Sequence, residues 1–483
     1  MVGKLAWPPA TQPHATGELT MSIRTGKQLA LLSSCLAFVI VILDVSVVNV
    51  ALRSLRVEFA GTIAHLEWVV SGYTLTFAAF LLTAGALGDR FGPRKVFILG
   101  FVLFALASLL CGLAGSLTAL IACRLLQGLG AALVVPASLA IVNQTFPEKN
   151  ARSRAIGLWA ASGGMALALG PVFGGALISL TGWRAIFFVN VPIALLGSLI
   201  AWRCVQDAAS TAGRVVDIPG QMLAALALGG FTLALIQVNA SGLHSPAVVG
   251  GMMVFLLSGA AFVAIEKHMA HPMLPLHLFG NRHFAASSLI GVLVNFAFYG
   301  LIFLFSLFFQ YAWAYTPLDT GLAFLPMTGS IMAANLLCGK LMVKHGYRTV
   351  LTCGIALAAL GYLSMLPFVG DGRYADIGIQ FIVAGVGIGL AVPAMTNAMV
   401  SSTEQRYIGV ASGVLNASRQ IGGLIGVAAM GLIVGDVTAE RFAGGMAPAL
   451  LWSISALAIG GLVGFLGLRK FEPAVTQTRL AGS

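Results

Sequence analysis

The chain has 483 residues, of which 58% are apolar and only 9% are charged. Soluble globular proteins carry about 25% charged residues, so this composition excludes a water-soluble globular protein and indicates many membrane-spanning helices. The formal net charge of +11 does not indicate nucleic-acid binding, because the basic residues are scattered over short loops and form no stretch that could follow a phosphate backbone.

Fourteen apolar runs are long enough to cross a bilayer, since about 20 residues at a rise of 1.5 Å span a hydrocarbon core of roughly 30 Å. The first run is too long for the hydrophobic part of a signal peptide, so we expect it to be retained as a span. The predicted spans are 29–52, 67–88, 96–116, 117–143, 154–180, 185–203, 218–237, 246–266, 284–311, 320–343, 350–369, 375–400, 407–434 and 447–468.

An even number of spans places both termini on one side of the membrane, and the distribution of Lys and Arg identifies that side. Nineteen of the 27 Lys and Arg residues fall in the terminal segments and in the loops on their side, and five fall in the opposite loops. The positive-inside rule therefore predicts that both termini are cytoplasmic, in a multi-pass protein of the inner (cytoplasmic) membrane.

Two sequence features recur at nearly the same interval. GALGDRFGPRKV (85–96) is echoed by GKLMVKHGYRTV (339–350), and GLGAALVVP (128–136) is echoed by GVGIGLAVP (385–393). The recurrence predicts two duplicated bundles of six helices with a central site at their interface, an arrangement typical of secondary transporters. Fourteen spans then leave two additional helices between the bundles.

The chain divides accordingly into five predicted segments. They are a cytoplasmic N-terminal segment (1–28), an N-terminal six-helix bundle (29–203), two additional linker helices (218–266), a C-terminal six-helix bundle (284–468) and a cytoplasmic tail (469–483). No phosphate-binding GxxxxGK[ST] loop, HExxH or GxSxG motif occurs, so we expect neither ATP use nor an enzyme, with no catalytic residues, no metal site and no cofactor.

Two charged residues lie deep in predicted spans. VILDVSVVNVAL (41–52) places Asp44 near the middle of the first span, and LIACRLLQGLGAAL (120–133) places Arg124 well inside the fourth. A charge at mid-membrane costs roughly 2.5 to 3.5 kcal/mol on insertion scales, so we expect both side chains to face the bundle interior. A carboxylate that pairs with the guanidinium in one state and separates from it in another binds and releases a proton as access alternates. A static buried ion pair is the alternative. Four further acids fall at span ends, and we interpret them as solvated: Glu67, Asp217, Glu266 and Asp319.

Several stretches together resemble the major facilitator superfamily, specifically its fourteen-span drug:proton antiporter family. They are LDVSVVNVAL in the first span, GALGDRFGPRK after the second, RLLQGLGAAL in the fourth and ALGPVFGG (168–175) in the fifth, with WRAIFFVNVP (183–192), TPLDTGLAFLPM (316–327) and SGVLNASRQIGG (412–423) fitting the same family. The amino-acid sequence of residues 295–328 most resembles the methylenomycin A resistance subgroup of this family. The resemblance implies an all-α polytopic membrane protein with the major facilitator fold, which exports small lipophilic drugs in exchange for protons by alternating access.

The resemblance also implies roles for two glycine motifs. The loop that braces the cytoplasmic gate in the family matches Gly85, Gly88, Asp89, Arg90, Gly92, Arg94 and Lys95, whose glycines would allow a tight crossing. The second copy of this loop has Val343 in place of Asp89, so we expect the brace to be asymmetric. The family's antiporter motif matches Gly170, Pro171, Gly174 and Gly175, and the spacing of Gly170 and Gly174 predicts a smooth helix face for close packing.

The ninth span lines the substrate path in the family, and its aromatic residues suit lipophilic molecules. Candidate cavity residues are Asn49, Gln127, Asn295, Tyr299, Gln310, Asn416 and Arg419, although Asn49 and Gln127 are more often helix-helix partners. The expected partners are a small lipophilic substrate, protons and the lipid bilayer, with no nucleic acid, and the chain is expected to be a monomer. The alternatives are a dedicated exporter of one metabolite or lipid, a proton symporter and, more remotely, a membrane enzyme or sensor.

Overall fold

The computed structural model describes residues 15–206, 217–269, 272–369, 373–404, 407–435 and 439–468. Within these ranges the chain is almost entirely helical and contains no β-strand. The helices are α1 (Ala15–Phe59), α2 (Ile63–Phe91), α3 (Pro93–Gly112), α4 (Leu117–Thr145), α5 (Lys149–Thr181), α6 (Ala185–Phe188), α7 (Asn190–Cys204), α8 (Ile218–Ser241), α9 (Pro246–His268), α10 (Arg282–Tyr311), α11 (Pro317–Met365), α12 (Tyr374–Ser401), α13 (Ile408–Val434) and α14 (Ala439–Gly467).

Thirteen helical stretches of the described chain are long and apolar enough to cross a membrane. One of them, Ala185–Cys204, joins α6 and α7. Another, Pro317–Phe368, has 52 residues, which is enough for two crossings at about 20 residues each. Its helix α11 breaks at Gly346, where φ is 77° and ψ is 155°. When α11 is counted as two crossings, the described residues form fourteen candidate crossings, which agrees with the fourteen predicted spans.

The break in α11 has a counterpart in the N-terminal half. Gly92, between α2 and α3, has φ 93° and matches Gly346 in the repeated loop sequence. Both angles lie in the left-handed region, which glycine adopts readily and which strains other residues. The sequence echo therefore corresponds to two chain reversals with related backbone conformations.

An arginine follows each of these glycines by two residues and binds the last helix of its own half. Arg94 donates to the Trp202 carbonyl near the end of α7. Arg348 donates to the Phe465 carbonyl near the end of α14, with an Nη2 to O distance of 2.5 Å. Each half is thus closed by the same contact between its third and sixth crossings.

The helices form two bundles. Helices α1 to α7 pack together as the N bundle, and α10 to α14 pack together as the C bundle. The bundles meet where α5 packs on α11 and where α2 packs on α13, and α1 also contacts α10. The additional helix α8 packs on α9 and also contacts both α2 and α13. The additional pair therefore lies against the seam between the bundles.

We call the membrane side at which α1 begins the near side and the opposite side the far side. α1 and α10 run in the same direction, because Arg53 near the end of α1 donates to the Gln310 carbonyl near the end of α10, at 2.7 Å. The hydrogen bond from Ser306 Oγ to the Asn49 carbonyl, 2.6 Å long, also joins these helices towards the far side. The two bundles are therefore in direct contact in the far-side half of the membrane.

Side-chain caps fix the starts of several helices. Ser116 accepts a hydrogen bond from the third residue of α4, and Ser245 does the same for α9. Thr316 and Asp319 form a capping box at the start of α11. Such caps satisfy backbone N–H groups that lack partners within the helix. Asp319 is exposed in this cap, as we expected for a solvated acid at a span end.

Candidate functional site

Asp44 of α1 and Arg124 of α4 form an ion pair inside the N bundle. Asp44 is 2% exposed and Arg124 is 1% exposed. Arg124 also donates from Nε to the Val69 carbonyl on α2, at 3.1 Å, and its Cζ lies 4.4 Å from the centroid of the Tyr73 ring. A carboxylate, a carbonyl and an aromatic face therefore replace the water that this guanidinium gives up on burial.

Two amides and a hydroxyl complete what we call the acid network: Asp44, Arg124, Gln127, Asn190 and Ser108. Gln127 donates to Asp44 Oδ1 at 2.9 Å and accepts from Arg124 Nη1 at 2.7 Å. Asn190 donates to Asp44 Oδ1 at 3.3 Å and to Ser108 Oγ at 3.1 Å. Asp44 thus accepts hydrogen bonds from a guanidinium and from two amides.

The acid network draws on four crossings, and only part of it was foreseeable. Gln127, a candidate cavity residue, lies in this network instead of at the seam between the bundles. Asn190 and Ser108 carried no predicted role. The available signal was an amide in the apolar stretch WRAIFFVNVP, at the start of α7. The sequence around Asn190 does not show that its amide contacts α1 and α3.

A small cavity lies between the bundles, bounded by α1, α2, α10 and α13. Its volume of about 10 Å³ is room for roughly one water molecule. The lining residues are Val45, Asn49, Val70, Ser71, Thr74, Tyr299, Gln420, Gly423, Leu424 and Val427. Both bundles therefore contribute to this cavity, and none of the described residues that line it carries a carboxylate.

Two of the predicted cavity residues, Asn49 and Tyr299, line this space. Asn49 Nδ2 donates to the Val45 carbonyl at 2.9 Å, but its Oδ1 is buried without a hydrogen-bond partner in the described part of the chain. Gln420 lines the cavity as well, and sequence reasoning singled out only its neighbour Arg419. The cavity therefore offers an unused acceptor and a second amide.

The other predicted cavity residues are elsewhere. Asn295 is buried on α10 and donates to the Gly291 carbonyl at 2.8 Å. Gln310 is buried in the far-side contact between α10 and α1. Asn416 is exposed. Arg419 is half-buried, and its Nε has no hydrogen-bond partner within the described residues.

The acid network and the cavity are separated by about one layer of side chains. Val45, which lines the cavity, directly follows Asp44 in α1. On α2, Ser71 and Thr74 line the cavity close to Tyr73, whose ring covers Arg124. A displacement of α1 or α2 therefore changes both places together.

The predicted gate loop lies on the near side, between α2 and α3. Gly92 adopts a positive φ, and Arg94 binds the Trp202 carbonyl. A Cβ at Gly85 or Gly88 would meet no heavy atom within 4 Å, so the expected tight crossing at these two glycines is absent from this structure. The other charged side chains of the loop are exposed, namely Asp89, Arg90 and Lys95.

The predicted antiporter motif uses two faces of α5. On the first face, a Cβ at Gly170 would overlap Ser46 Oγ, and a Cβ at Gly174 would overlap the Val47 side chain. Both neighbours belong to α1. This face therefore packs within the N bundle, close to Asp44.

The second face of the motif crosses the seam to the C bundle. A Cβ at Gly175 would overlap the Pro317 carbonyl, and a Cβ at Gly321 would overlap the Pro171 carbonyl. α5 and α11 thus approach to backbone contact at the far side. The motif helix lies between the helix that carries Asp44 and the opposite bundle.

The interpretation of three span-end acids as solvated is wrong. Asp217 is 5% exposed and Glu266 is 3% exposed, and each accepts a backbone hydrogen bond, from Gly220 and Leu274 respectively. Glu67 is 1% exposed. The sequence placed these acids correctly near the ends of helices, but tertiary packing covers them and the local sequence does not show it.

The protein-family model described as Major Facilitator Superfamily matches residues 34–427 of this chain. The chain belongs to this superfamily. The methylenomycin A resistance protein of Streptomyces coelicolor is 38% identical over 397 residues, which are 82% of this chain and 83% of that protein. The protein of the same name from Bacillus subtilis is 37% identical over 410 residues, 85% of this chain and 88% of that protein.

More distant likenesses agree. The tetracenomycin C resistance and export protein of Streptomyces glaucescens is 31% identical over 418 residues, 86% of this chain and 78% of that protein. A crystal structure of a bacterial homologue of the human lysosomal transporter Spinster, inward-facing and unoccupied, has a TM-score of 0.67 at 16% identity, over 93% of this chain and 99% of that one. The chain is thus a multi-pass membrane transporter of the drug-efflux part of the superfamily, and the predicted family is confirmed.

Proposed function

We propose that this transporter exports small lipophilic drugs across the cytoplasmic membrane in exchange for protons, with its near side facing the cytoplasm. The observation that carries the proposal is the acid network, a buried carboxylate held by a guanidinium one layer away from a cavity that both bundles line. The printed names of the relatives, which refer to antibiotic resistance and export, support the substrate class.

The proton step follows from the contacts of Asp44. While Arg124, Gln127 and Asn190 donate to it, the carboxylate is stabilised as an ion. A movement of α1 against α4 that withdraws Arg124 leaves a buried carboxylate without its counter-charge, and proton uptake then becomes favourable. Proton affinity therefore depends on conformation, and protons in turn bias the conformation, as reciprocal linkage requires.

The cavity supports the substrate class. Its walls combine apolar side chains with a few neutral polar groups, which favours recognition of lipophilic molecules by contact area. A drug-sized site needs about 300 to 1,000 Å³, so the cavity of about 10 Å³ has to widen when the bundles separate. Arg419 next to Gln420 makes a dication a poor fit, and neutral, monocationic or anionic compounds suit the site better.

The basic residues of the gate loop indicate the orientation, and the seam between the bundles indicates the far-side gate. We assign the near side to the cytoplasm because the exposed basic residues of the gate loop, Arg90 and Lys95, lie there, in accordance with the positive-inside rule. In the described conformation the far-side seam is closed by the contact of α5 with α11. Alternating access then requires this contact to open when the drug is released outside.

The test measures proton movement coupled to drug transport. Inside-out vesicles with an acidified lumen and a pH-sensitive dye are supplied with a lipophilic antibiotic, and antiport is expected to make the lumen more alkaline. Asp44→Asn should abolish this signal, whereas Glu58→Gln, which changes a partly exposed acid on the same helix, should keep it. A symporter would give the opposite sign, and response to one compound only would indicate a dedicated exporter. Normal efflux by Asp44→Asn overturns the assignment.

A further inference from the structure

Glu67 is a buried carboxyl group that the proposed mechanism does not use. It lies in the first turns of α2, towards the far side, where α2 of the N bundle packs on α13 of the C bundle. It is among the buried residues, and neither carboxylate oxygen has a hydrogen-bond partner in the described part of the chain. Its carboxyl group fills the place that a side chain at Gly431 of α13 would occupy. Glu67 is therefore enclosed by the contact between the bundles.

Among the residues that the structure describes, the helices around Glu67 provide no charge that is free to compensate it. α13 has no ionisable residue between Arg419 and its end, and α8 has none along its length. On α4, Arg124 is engaged in the acid network. On α2 itself, His65 is exposed and hydrogen-bonded to the cap of its own helix. At the far end of α1, Arg53 and Arg56 bind backbone carbonyls.

Burial without a partner determines the charge that Glu67 carries while the seam is closed. An isolated carboxylate ion in an apolar environment is strongly disfavoured, so the closed seam holds the neutral acid. When the far side opens, the carboxyl group meets water, where glutamic acid loses its proton near pH 4.3. Opening the far-side seam therefore releases a proton, and closing it takes one up.

We propose that Glu67 is a second proton-binding site, which takes its proton from the far-side solution and thereby lets the bundles close over it. The proposal rests on the proposed function only in assuming that the far-side seam opens and closes. Because the closed state accepts only the protonated form, acid favours closing and alkali opposes it. Up to one proton is bound on closing, so the closing equilibrium changes by up to tenfold per pH unit.

The site acts differently from Asp44. Glu67 gains and loses its proton on the same side, so it adds no transported charge. Its effect is to make closure after drug release depend on protons outside the cell. A proton gradient directed inwards would then favour return of the empty transporter to the near-side-open state, in the same direction as exchange at Asp44.

The test follows the far-side seam directly, without drug or transport. Spin labels are placed at Leu180→Cys on α5 and Phe368→Cys beyond α11, two exposed far-side positions in opposite bundles, in a background with the six native cysteines replaced by serine. Distances between the labels are measured by pulsed electron resonance in lipid nanodiscs from pH 5 to pH 9. With Glu67 intact, the closed fraction should rise as the pH falls.

Two variants decide the outcome. Glu67→Gln keeps the shape but cannot ionise, so its closed fraction should depend on pH less than that of the parent, and Asp44→Asn should retain the part of the pH dependence that comes from Glu67. A pH response of Glu67→Gln equal to that of the parent overturns the proposal, and so does a parent that shows no response. Since no drug is involved, the measurement stands even if export itself fails its own test.

A size complementation checks the seat of the carboxyl group. Gly431→Ala places a methyl group where the Glu67 carboxyl lies, so the far side should close less at every pH. Adding Glu67→Ala frees that space, so the double variant should close again and should respond to pH less than the parent does. Failure of Glu67→Ala to restore closure would contradict the packing on which the proposal depends.

Discussion

The energy stored in the acid network can be measured by a double-mutant cycle on Asp44 and Arg124. Arg124→Met leaves Asp44 with two amide donors, at 2.9 Å from Gln127 and 3.3 Å from Asn190. Asp44→Asn leaves Arg124 with the Gln127 and Val69 carbonyl oxygens and the Tyr73 ring. Each single change therefore leaves one buried charge without its counter-charge, and neighbouring polar groups compensate that charge only in part.

The expected magnitudes follow from burial. Removing one partner of a buried pair costs about 3 to 5 kcal/mol, and we expect the lower end because amides and carbonyls remain. In the double variant neither charge is present. Its loss in free energy of unfolding should therefore be smaller, by about 2 kcal/mol or more, than the sum of the losses in the two single variants, which is within the range of couplings for contacting residues.

The assay is reversible unfolding in mixed detergent micelles, followed by tryptophan fluorescence. The matched control is the pair of Arg184 and Glu58, whose side chains are 41% and 38% exposed and whose closest N to O distance is 2.7 Å. Because water screens exposed pairs, the coupling for Arg184→Met with Glu58→Gln should stay below about 1 kcal/mol. Additive effects of Asp44→Asn and Arg124→Met, within about 0.5 kcal/mol, would refute the description of the buried pair.

Three further predictions concern helix packing, backbone conformation and the acid network. Gly321→Ala should reduce transport severely because the methyl group would overlap the Pro171 carbonyl across the seam, whereas Gly164→Ala, with open space around it, should transport normally; drug efflux by cells compares them. Gly346→Ala should lower the free energy of unfolding by about 1 kcal/mol or more because its φ is positive, as thermal unfolding would report. Asn190→Leu should weaken proton-coupled export with little change in drug binding, and unchanged coupling would remove Asn190 from the network.

Much of the fold was predictable because membrane spans are marked by composition alone. Fourteen apolar runs indicated the crossings, and two repeated glycine loops indicated the duplication. The repeat also marked Gly346, where α11 breaks between two crossings. Asp44 and Arg124 were identifiable because a charge in an apolar run is costly. These signals lie in short stretches of sequence, so they can be recognised without knowledge of the tertiary contacts.

Tertiary contacts explain what sequence could not provide. Asn190 is an ordinary polar residue until α7 brings it to Asp44. Glu67 looks solvated at a span end, but α13 presents Gly431 opposite and covers it. Conversely, Gly85 and Gly88 fit a family motif, yet the structure leaves open space beside both. Each case depends on which helix lies opposite, and the chain's own local pattern does not encode it.

The measurement that tests the central claim most directly compares two modes of drug movement in proteoliposomes containing purified Asp44→Asn. One is accumulation driven by a pH gradient, and the other is exchange of external labelled drug for internal unlabelled drug without a gradient. We expect the variant to lose the driven accumulation and to keep exchange within about twofold of the parent, since loss of a coupling proton need not prevent the bundles from alternating. Driven accumulation at the parental level would contradict the role of Asp44 as the proton carrier.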